Sequence, residues 1–443
     1  MSLNEEQTET LLEWALQWQE FNSKSKSSKK SDFERHKQNY AFRKLAEETF
    51  PIHEMKVDPR DINQDLMGII QDLSFEREGA FEDWEPHYPV EKSIDEDGLV
   101  PTYKSKVTTI VRDIGKSDKL STEFYFPLNI LVDQDVDEID VYDFKFFRIS
   151  KSDWSDKIQE FIEHPHTSNA GYVMSLCENK DLTYWKAEIE SKGPRYASEK
   201  FKTSSNLFCA KVNYCLYLWN TELKGASQWS TISEPFAALI AINERPEEVA
   251  IVDRDPKDSV SIEWSDPNFN NNYQELPLFE YDSEGIEDVF QNALLEYQRA
   301  MTETDRHSSF MTFWRCIEGL SRAGRGEKGE IIDRAKWALK NVKENNNHEF
   351  IEEIADQMYD SRNNWVHEPN WDNIWMAHEY VAKYLTDAMI QIYAENLGDK
   401  NEDVVRNIFD LSTMEEPQRD EKYKEAIYRQ EAIEELRQIE SAE

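Results

Sequence analysis

The chain has 443 residues, of which 39% are hydrophobic and 12% aromatic, enough to bury the cores of two or three domains. This composition excludes a wholly disordered protein. The 89 acidic residues outnumber the 51 basic ones and give a formal net charge of −38. Because such a surface repels phosphate, it excludes strong sequence-independent binding of DNA or RNA, and any nucleic-acid contact must be local.

The cysteines and the N-terminus indicate the compartment. Cys177, Cys209, Cys215 and Cys316 form no Cys-x-x-Cys pair, so we expect no zinc knuckle, and reduced, mostly buried thiols. The N-terminus is acidic and lacks the positively charged start and apolar run of a signal peptide. The longest apolar run, Phe236–Ile242, is too short to span a bilayer. We therefore expect a soluble, cytoplasmic protein with no membrane partner.

Residues 1–50 predict N-terminal helices and a linker. Apolar residues recur at near-helical spacing over residues 4–21, and a second helix is predicted near Asp32–Thr49. Between them, Ser23–Ser31 is a dense run of serine and lysine. No aromatic residues are interleaved with these lysines, so a solvated linker is favoured over an arm that contacts phosphates.

Residues 51–282 predict an α+β domain with a β-rich core, which would have a sensor or regulatory role. Strands are predicted where apolar residues alternate or run together: Glu123–Val132, Glu138–Ile149 and Leu207–Trp219. Phe236–Ile242 and Glu248–Val252 flank Asn243–Pro246, which predicts a hairpin turn. Trp154–His164 is typical of a helix.

Two patterns in this region resemble metal sites, and a simpler interpretation is favoured for each. An EF-hand loop starting at Asp133 would require glycine in place of Glu138 and glutamate in place of Phe144. A solvated acidic turn between strands is favoured there. His164 and His166 lack a third ligand in a defined element, which favours an exposed loop.

A third pattern, Asp181 followed by Glu190 and Lys192, resembles the carboxylate–lysine set of metal-dependent nucleases. Such a set arises easily by chance in so charged a chain, and a chance arrangement is favoured. If the set were functional, the N-terminal region would be a second nuclease.

Residues 283–398 predict an all-helical bundle, because glycine and proline become sparse and the apolar residues follow helical spacing. The predicted helices cover residues 284–302, 306–323, 329–344, 348–367 and 371–396. Residues 399–443 form a charged tail, in which Asp420–Ile439 predicts one more helix. The predicted fold class is multidomain α+β, with a β-rich region followed by an all-α bundle.

A short motif closes the fourth predicted helix. Asp360–Pro369 contains Arg362, Asn363 and His367, and the proline disfavours helical geometry at Glu368. We therefore expect His367 at a helix C-terminus, where the helix dipole favours the protonated ring and raises its pKa toward neutral. Asn363 lies four residues earlier on the same helix face, and the long side chain of Arg362 can reach that face.

These residue types suit RNA cleavage without a metal. A histidine with a near-neutral pKa can pass a proton to or from a ribose hydroxyl or a leaving oxygen. A guanidinium can hold the non-bridging phosphate oxygens with two hydrogen bonds while charge builds on them. The motif therefore predicts a ribonuclease site that requires no cofactor.

The motif, late in a unit of four to five helices, resembles that of the HEPN superfamily, and most closely the Apea-like HEPN proteins. The upstream helix Phe310–Leu320 is similar to that group's aromatic-rich first core helix with its glutamate, here Glu318. The resemblance implies that Arg362 and His367 are catalytic, that Asn363 assists them, and that Glu318 orients the arginine.

The same resemblance implies the biological setting. HEPN domains typically dimerise so that two motifs face one cleft, and many cleave RNA without a metal. We therefore expect a homodimer formed through the helical domain, with RNA bound only in the local cleft. Antiphage defence or a toxin–antitoxin role is implied, with a protein trigger or antitoxin as partner.

A basic loop between the second and third predicted helices is a further candidate. It carries Arg322, Arg325 and Lys328 among glycines. It is not a Walker loop, because the spacing is wrong and no serine or threonine follows Lys328. Contact with RNA phosphates and a plain connection between helices remain equal alternatives.

Three functions are consistent with the sequence. The first is the ribonuclease, with the N-terminal region sensing or restraining it. The second is a catalytically silent HEPN module that binds a protein partner or a nucleotide, which the acidity favours. The third is a structural helical scaffold, in which Arg362 pairs with a bundle carboxylate and His367 caps a helix.

Overall fold

The computed structural model describes residues 96–219, 231–252, 257–277, 285–321, 328–342, 348–367, 376–396 and 402–440, apart from Gln134 and Tyr142, and a few positions nearer the N-terminus. Within the predicted helix 4–21, Gln7, Thr8 and Leu11 are helical. The predicted helix Asp32–Thr49 and the Ser23–Ser31 segment lie outside the described residues. Two short strands, β1 (Leu73–Phe75) and β2 (Lys92–Ile94), pair in parallel.

A six-stranded antiparallel sheet is the centre of the N-terminal region. In spatial order its strands are β5 (Glu138–Asp140), β6 (Lys145–Ile149), β7 (Thr183–Ser191), β3 (Leu120–Leu128), β8 (Ala237–Ile242) and β9 (Arg245–Ile251). A separate parallel pair joins β4 (Ile130–Val132) to β10 (Val260–Ile262). The predicted strand at Glu123–Val132 is thus divided between β3 and β4, and Glu138–Ile149 forms the β5–β6 hairpin.

Helices cover both faces of this sheet. The helices of the region are α1 (Glu96–Lys116), α2 (Lys151–Glu163), α3 (Ala170–Cys177), α4 (Pro194–Tyr217) and α5 (Pro267–Glu275). On one face, Trp154 of α2 stacks on Tyr184 of β7, with 5.3 Å between ring centroids. A capping box between Ser150 and Asp153 begins α2, so the predicted helix at Trp154–His164 is confirmed.

Helix α4 covers the other face and corrects one prediction. Leu207–Trp219 was predicted as strand, but residues 194–217 are helical. Phe208 packs toward the sheet against Phe146, with ring centroids 5.4 Å apart. Tyr214 packs on the opposite side against Tyr297 of the helical bundle, at 5.8 Å. Every side chain from Leu207 to Cys215 is buried, so this part of the helix lacks the polar stripe that reveals a surface helix.

The turns and cysteines agree with the sequence. In the β8–β9 hairpin, Asn243 and Glu244 have φ of 48° and 68°, as a two-residue turn with two left-handed positions requires. The acidic segment after Asp133 is a turn, closed by a hydrogen bond from the Val136 N–H to the Asp133 carbonyl. All four cysteines are buried free thiols.

Seven helices follow within the described residues. They are α6 (Ile286–Thr302), α7 (Arg306–Ser321), α8 (Lys328–Val342), α9 (His348–His367), α10 (Met376–Asn396), α11 (Glu402–Ser412) and α12 (Glu416–Glu440). All five predicted bundle helices are confirmed, and the predicted tail helix falls within α12. Helix α11 was not predicted, although Val405 and Phe409 are buried on one side of it. The main core is shared by the sheet and the bundle.

A fully buried ion pair joins the bundle to the end of α4. The Lys383 ammonium and the Asp387 carboxylate contact each other on α10, and both side chains are 0% exposed. Lys383 also donates to the Tyr217 carbonyl, and Asp387 accepts from the Trp219 N–H. Burial lowers the pKa of Lys383 and raises that of Asp387.

We expect Asp387→Ala to lower the free energy of unfolding by about 3–5 kcal/mol, because it leaves the Lys383 ammonium buried without its counter-charge. Urea denaturation followed by tryptophan fluorescence measures this loss. The double variant Lys383→Met/Asp387→Leu removes both charges and should recover at least half of it. A loss below about 1 kcal/mol for Asp387→Ala would contradict the buried pair.

The β8–β9 turn supplies a second prediction. Glu244→Gly should raise the free energy of unfolding by about 1 kcal/mol, because glycine adopts a positive φ without steric cost. Thermal denaturation measures this as a higher melting temperature. Glu247→Gly is the matched control, since Glu247 is an exposed glutamate in β9 without a positive φ; it should lower stability. Equal effects of both variants would argue against the turn conformation.

Candidate functional site

Helix α9 positions the Arg…His motif. It spans residues 348–367, as the sequence predicts. Ile351, Ala355 and Met358 are buried at 4% exposure or less, and they fall at the spacing of one helix face. This buried face anchors the helix in the bundle. Arg362 lies in the last two turns of the helix, and His367 is its final residue.

The side chain of Arg362 lies between two polar neighbours and is 26% exposed. Its Nη1 donates to Oδ1 of Asn363 at 3.1 Å. Its Nη2 lies 3.9 Å from Oε1 of Glu318, which is long for a charge-assisted hydrogen bond. Among the described residues, the buried Nε atom has no hydrogen-bond partner. The bond to Asn363 orients the guanidinium, and the other described residues leave part of its donor capacity unused.

Helix α7 supplies Glu318. One turn before it, Trp314 is buried and lies 6.1 Å from Tyr359 of α9, between ring centroids. The Trp314–Tyr359 contact and the Glu318–Arg362 contact lie about one turn apart along the same two helices, α7 and α9. The aromatic-rich segment from Phe310 is thus a buried helix that carries its glutamate to Arg362, and these contacts hold the two charged side chains in register.

The C-terminal end of α7 is anchored by groups that the sequence did not reveal. The Tyr393 hydroxyl donates to the Leu320 carbonyl at 2.7 Å, and Nη1 of Arg334 donates to the Ser321 carbonyl at 2.8 Å. These bonds satisfy carbonyls that a helix end leaves unpaired. Arg334 is 2% exposed and also pairs with Asp410 at 2.6 Å. In the sequence, the one indication of this anchoring role is that an arginine interrupts the apolar face of a predicted helix.

Some predicted site residues cannot be placed. His367 belongs to α9 as a backbone position, but its side chain lies outside the described residues. Arg322 and Arg325 also lie outside them, and Lys328 begins α8 without a described side chain. The structure therefore brings together Arg362, Asn363 and Glu318. The roles of the other four remain predictions.

Charges elsewhere between α8 and α9 are paired. Lys336 contacts Asp356, and Lys340 lies 2.9 Å from Glu352. Arg362 lies beyond these pairs, toward the C-terminal end of α9. Within the described part of the chain, its only ion-pair partner is Glu318, and a partly exposed pair of this length is worth at most about 1 kcal/mol. An incoming phosphate can therefore compete for the guanidinium.

The structure shows where the residues of two other patterns lie. Asp181 precedes β7, whereas Glu190 and Lys192 lie at its far end, so the carboxylate–lysine set is not assembled. Glu190 instead pairs with Lys119 at 3.1 Å. His166 is exposed in the turn that follows α2. The described residues contain no cluster of three side chains able to hold a metal ion.

Comparison with known proteins gave no match to a family model, a curated protein or a solved structure. The similarity to HEPN proteins therefore rests on the residues of the motif and of α7. No helix in the described part of the chain is both long enough and apolar enough to cross a membrane.

Proposed function

We propose that the protein is a metal-independent endoribonuclease of HEPN type, with Arg362 and His367 as its catalytic residues. The observation that carries the proposal is the partly exposed Arg362 guanidinium near the end of α9, five residues before His367. Its contacts with other described residues are one hydrogen bond, to Asn363, and one long ion pair, to Glu318. An arginine held in register with unused donors is suited to bind a phosphodiester.

The chemistry proposed at this site is cleavage by the neighbouring ribose hydroxyl. The 2′-oxygen attacks phosphorus and loses its proton, while the 5′-oxygen leaves and gains one, so a 2′,3′-cyclic phosphate forms without added water. Arg362 would neutralise the charge that builds on the non-bridging oxygens. His367 would transfer one of the two protons, and Asn363 would hold the guanidinium plane through its hydrogen bond.

The N-terminal region is proposed to sense a trigger or restrain the nuclease, in an antiphage or toxin–antitoxin role with a protein trigger or antitoxin. Two structural features support a regulatory connection. The sheet and the bundle share one apolar core, and the buried Lys383–Asp387 pair contacts the end of α4. A change in the sheet region would therefore reach the bundle through packed contacts.

A second candidate is a catalytically silent module that binds a protein or a nucleotide. The observation that favours it is the carboxylate of Glu318 beside Arg362, in a chain whose net charge of −38 repels RNA. This alternative predicts that a folded protein cleaves no RNA, and that Arg362 contributes only to binding or stability.

The test is RNA cleavage by the full chain in excess EDTA, with salt stepped upward to screen the acidic surface. We expect metal-independent cleavage by the wild type. Arg362→Ala should reduce the rate at least about a hundredfold, because it removes a donor to the charged transition state. His367→Ala should reduce it by about 10²–10⁴.

Matched controls separate the site from general charge loss. Arg299→Ala removes an arginine that is 67% exposed on α6, and His166→Ala removes the exposed histidine after α2; both should leave the rate unchanged. Cleavage that requires a divalent metal and survives both site substitutions would refute the site. A folded wild type that cuts no RNA at any salt concentration would favour the silent module.

The role of Glu318 can be tested separately as that of a positioning residue. Glu318→Gln removes a carboxylate that competes with phosphate but retains the side-chain volume. We expect KM for RNA to fall by about threefold, the effect of a weak exposed pair, and kcat to fall less than about tenfold. Steady-state kinetics distinguish the two constants, and melting temperature reports any structural effect. A loss of kcat equal to that of Arg362→Ala would contradict a positioning role.

A further inference from the structure

Helix α12 is a long helix that none of the other described elements covers. It spans Glu416–Glu440, 25 residues, or about 37 Å at the rise of an α-helix. Every described side chain from Glu415 to Glu434 is exposed. The preceding helix α11 is fixed, because Phe409 is buried and packs 5.9 Å from Trp337 of α8, between ring centroids. Helix α12 therefore extends from an anchored base.

One face of α12 has the spacing of a helix–helix contact. Tyr423, Ala426, Gln430 and Ile433 follow one another at intervals of three, four and three residues, which is the pattern of the a and d positions of a heptad. Tyr423 is 68% exposed and Ile433 is 52% exposed. When large apolar side chains such as Tyr423 and Ile433 are exposed along one face of a helix, that face is suited to bind another protein surface.

The same face borders a groove between α11 and α12 with a volume of about 820 Å³. Leu411 of α11 and Met414 of the turn after it line one side of the groove. Ala426 and Ile433 of α12 line the other side. A helix laid against the stripe would therefore contact apolar side chains of both α11 and α12, which enlarges the surface that it can bury.

Charges along the two edges of the stripe identify the occupant. Lys422 and Arg429 lie on one edge, and Asp420 and Glu434 on the other. In a parallel pair of α12 helices, Arg429 of each copy faces Glu434 of the other, so two contacts between opposite charges form across the twofold axis, while Lys422 faces Ile427. An antiparallel orientation would set like charges together. The face is thus complementary to itself, as a twofold interface requires.

We propose that α12 pairs in parallel with α12 of a second copy of this chain, through the stripe formed by Tyr423, Ala426, Gln430 and Ile433. This surface lies outside residues 283–398, so it is distinct from the dimer that the resemblance implies for the helical domain. The stripe covers about one and a half heptads and includes a polar Gln430. Association is therefore weak and depends on concentration.

The test is the molar mass of the full chain by sedimentation velocity, from about 1 to about 200 µM. The mass of the wild type should rise over this range as α12 pairs with α12 of a second copy. Ile433→Asp should show no such rise, because it puts a charge in the apolar stripe. Tyr428→Ala is the matched control: Tyr428 is as exposed as Tyr423, at 68%, but lies off the stripe, so dimerisation should be unchanged.

A charge exchange tests the orientation. Arg429→Glu and Glu434→Arg should each weaken dimerisation at least about tenfold by opposing like charges, and the double variant should restore it. Circular dichroism shows whether each variant retains its helix. A wild-type mass that does not rise with concentration, or a rise that Ile433→Asp leaves unchanged, would overturn the proposal. Single variants that dimerise as the wild type does would overturn the parallel orientation.

Discussion

Helix α4 has to bury both of its sides, and the arrangement of the chain follows from this requirement. On one side Phe201 stacks on Phe124 of the sheet, with 4.3 Å between ring centroids. On the other, the amide of Asn213 donates to Oε1 of Gln298 on α6 at 2.7 Å. A helix with two apolar sides cannot face water on either, so the sheet and the bundle must both pack against it. The two regions therefore share one core even though their secondary structures differ.

Polar groups at helix ends extend this arrangement to the candidate site. The end of α4 binds the buried Lys383–Asp387 pair of α10. Further along α10, the Tyr393 hydroxyl donates to the Leu320 carbonyl at the C-terminal end of α7, close to Glu318. Each of these groups would lose hydrogen bonds in a dry interior if the contact opened. These contacts connect the sheet, through α4, α10 and α7, to Glu318 beside Arg362. The position of Glu318 therefore depends on the packing of all these elements.

Sequence periodicity could predict the parts of the fold in which one side of an element faces water. The bounds of α9 and the hairpin turn at Asn243 are of this kind, because polar and apolar residues separate cleanly there. The pattern failed in the second half of α4, where every side chain from Leu207 to Cys215 is buried, so Leu207–Trp219 was predicted as strand. The motif on α9 was recognisable from residue types, whereas Arg334 depends on a partner, Asp410, that lies 76 residues away along the chain. Contacts of that kind leave no local signal.

Two arginines of the same bundle show what separates a structural cation from one able to bind a ligand. Arg334 is 2% exposed and donates to the Ser321 carbonyl and to two carboxylates at 2.6–2.8 Å, so a ligand would have to displace strong bonds to reach it. Arg362 is 26% exposed, and among the residues that the structure describes it makes one hydrogen bond, to Asn363, and one ion pair, to Glu318 at 3.9 Å. A chain with a net charge of −38 cannot attract RNA by its overall field. Any affinity for phosphate must come from cations that the fold leaves incompletely bonded, and Arg362 meets that condition at the end of an anchored helix.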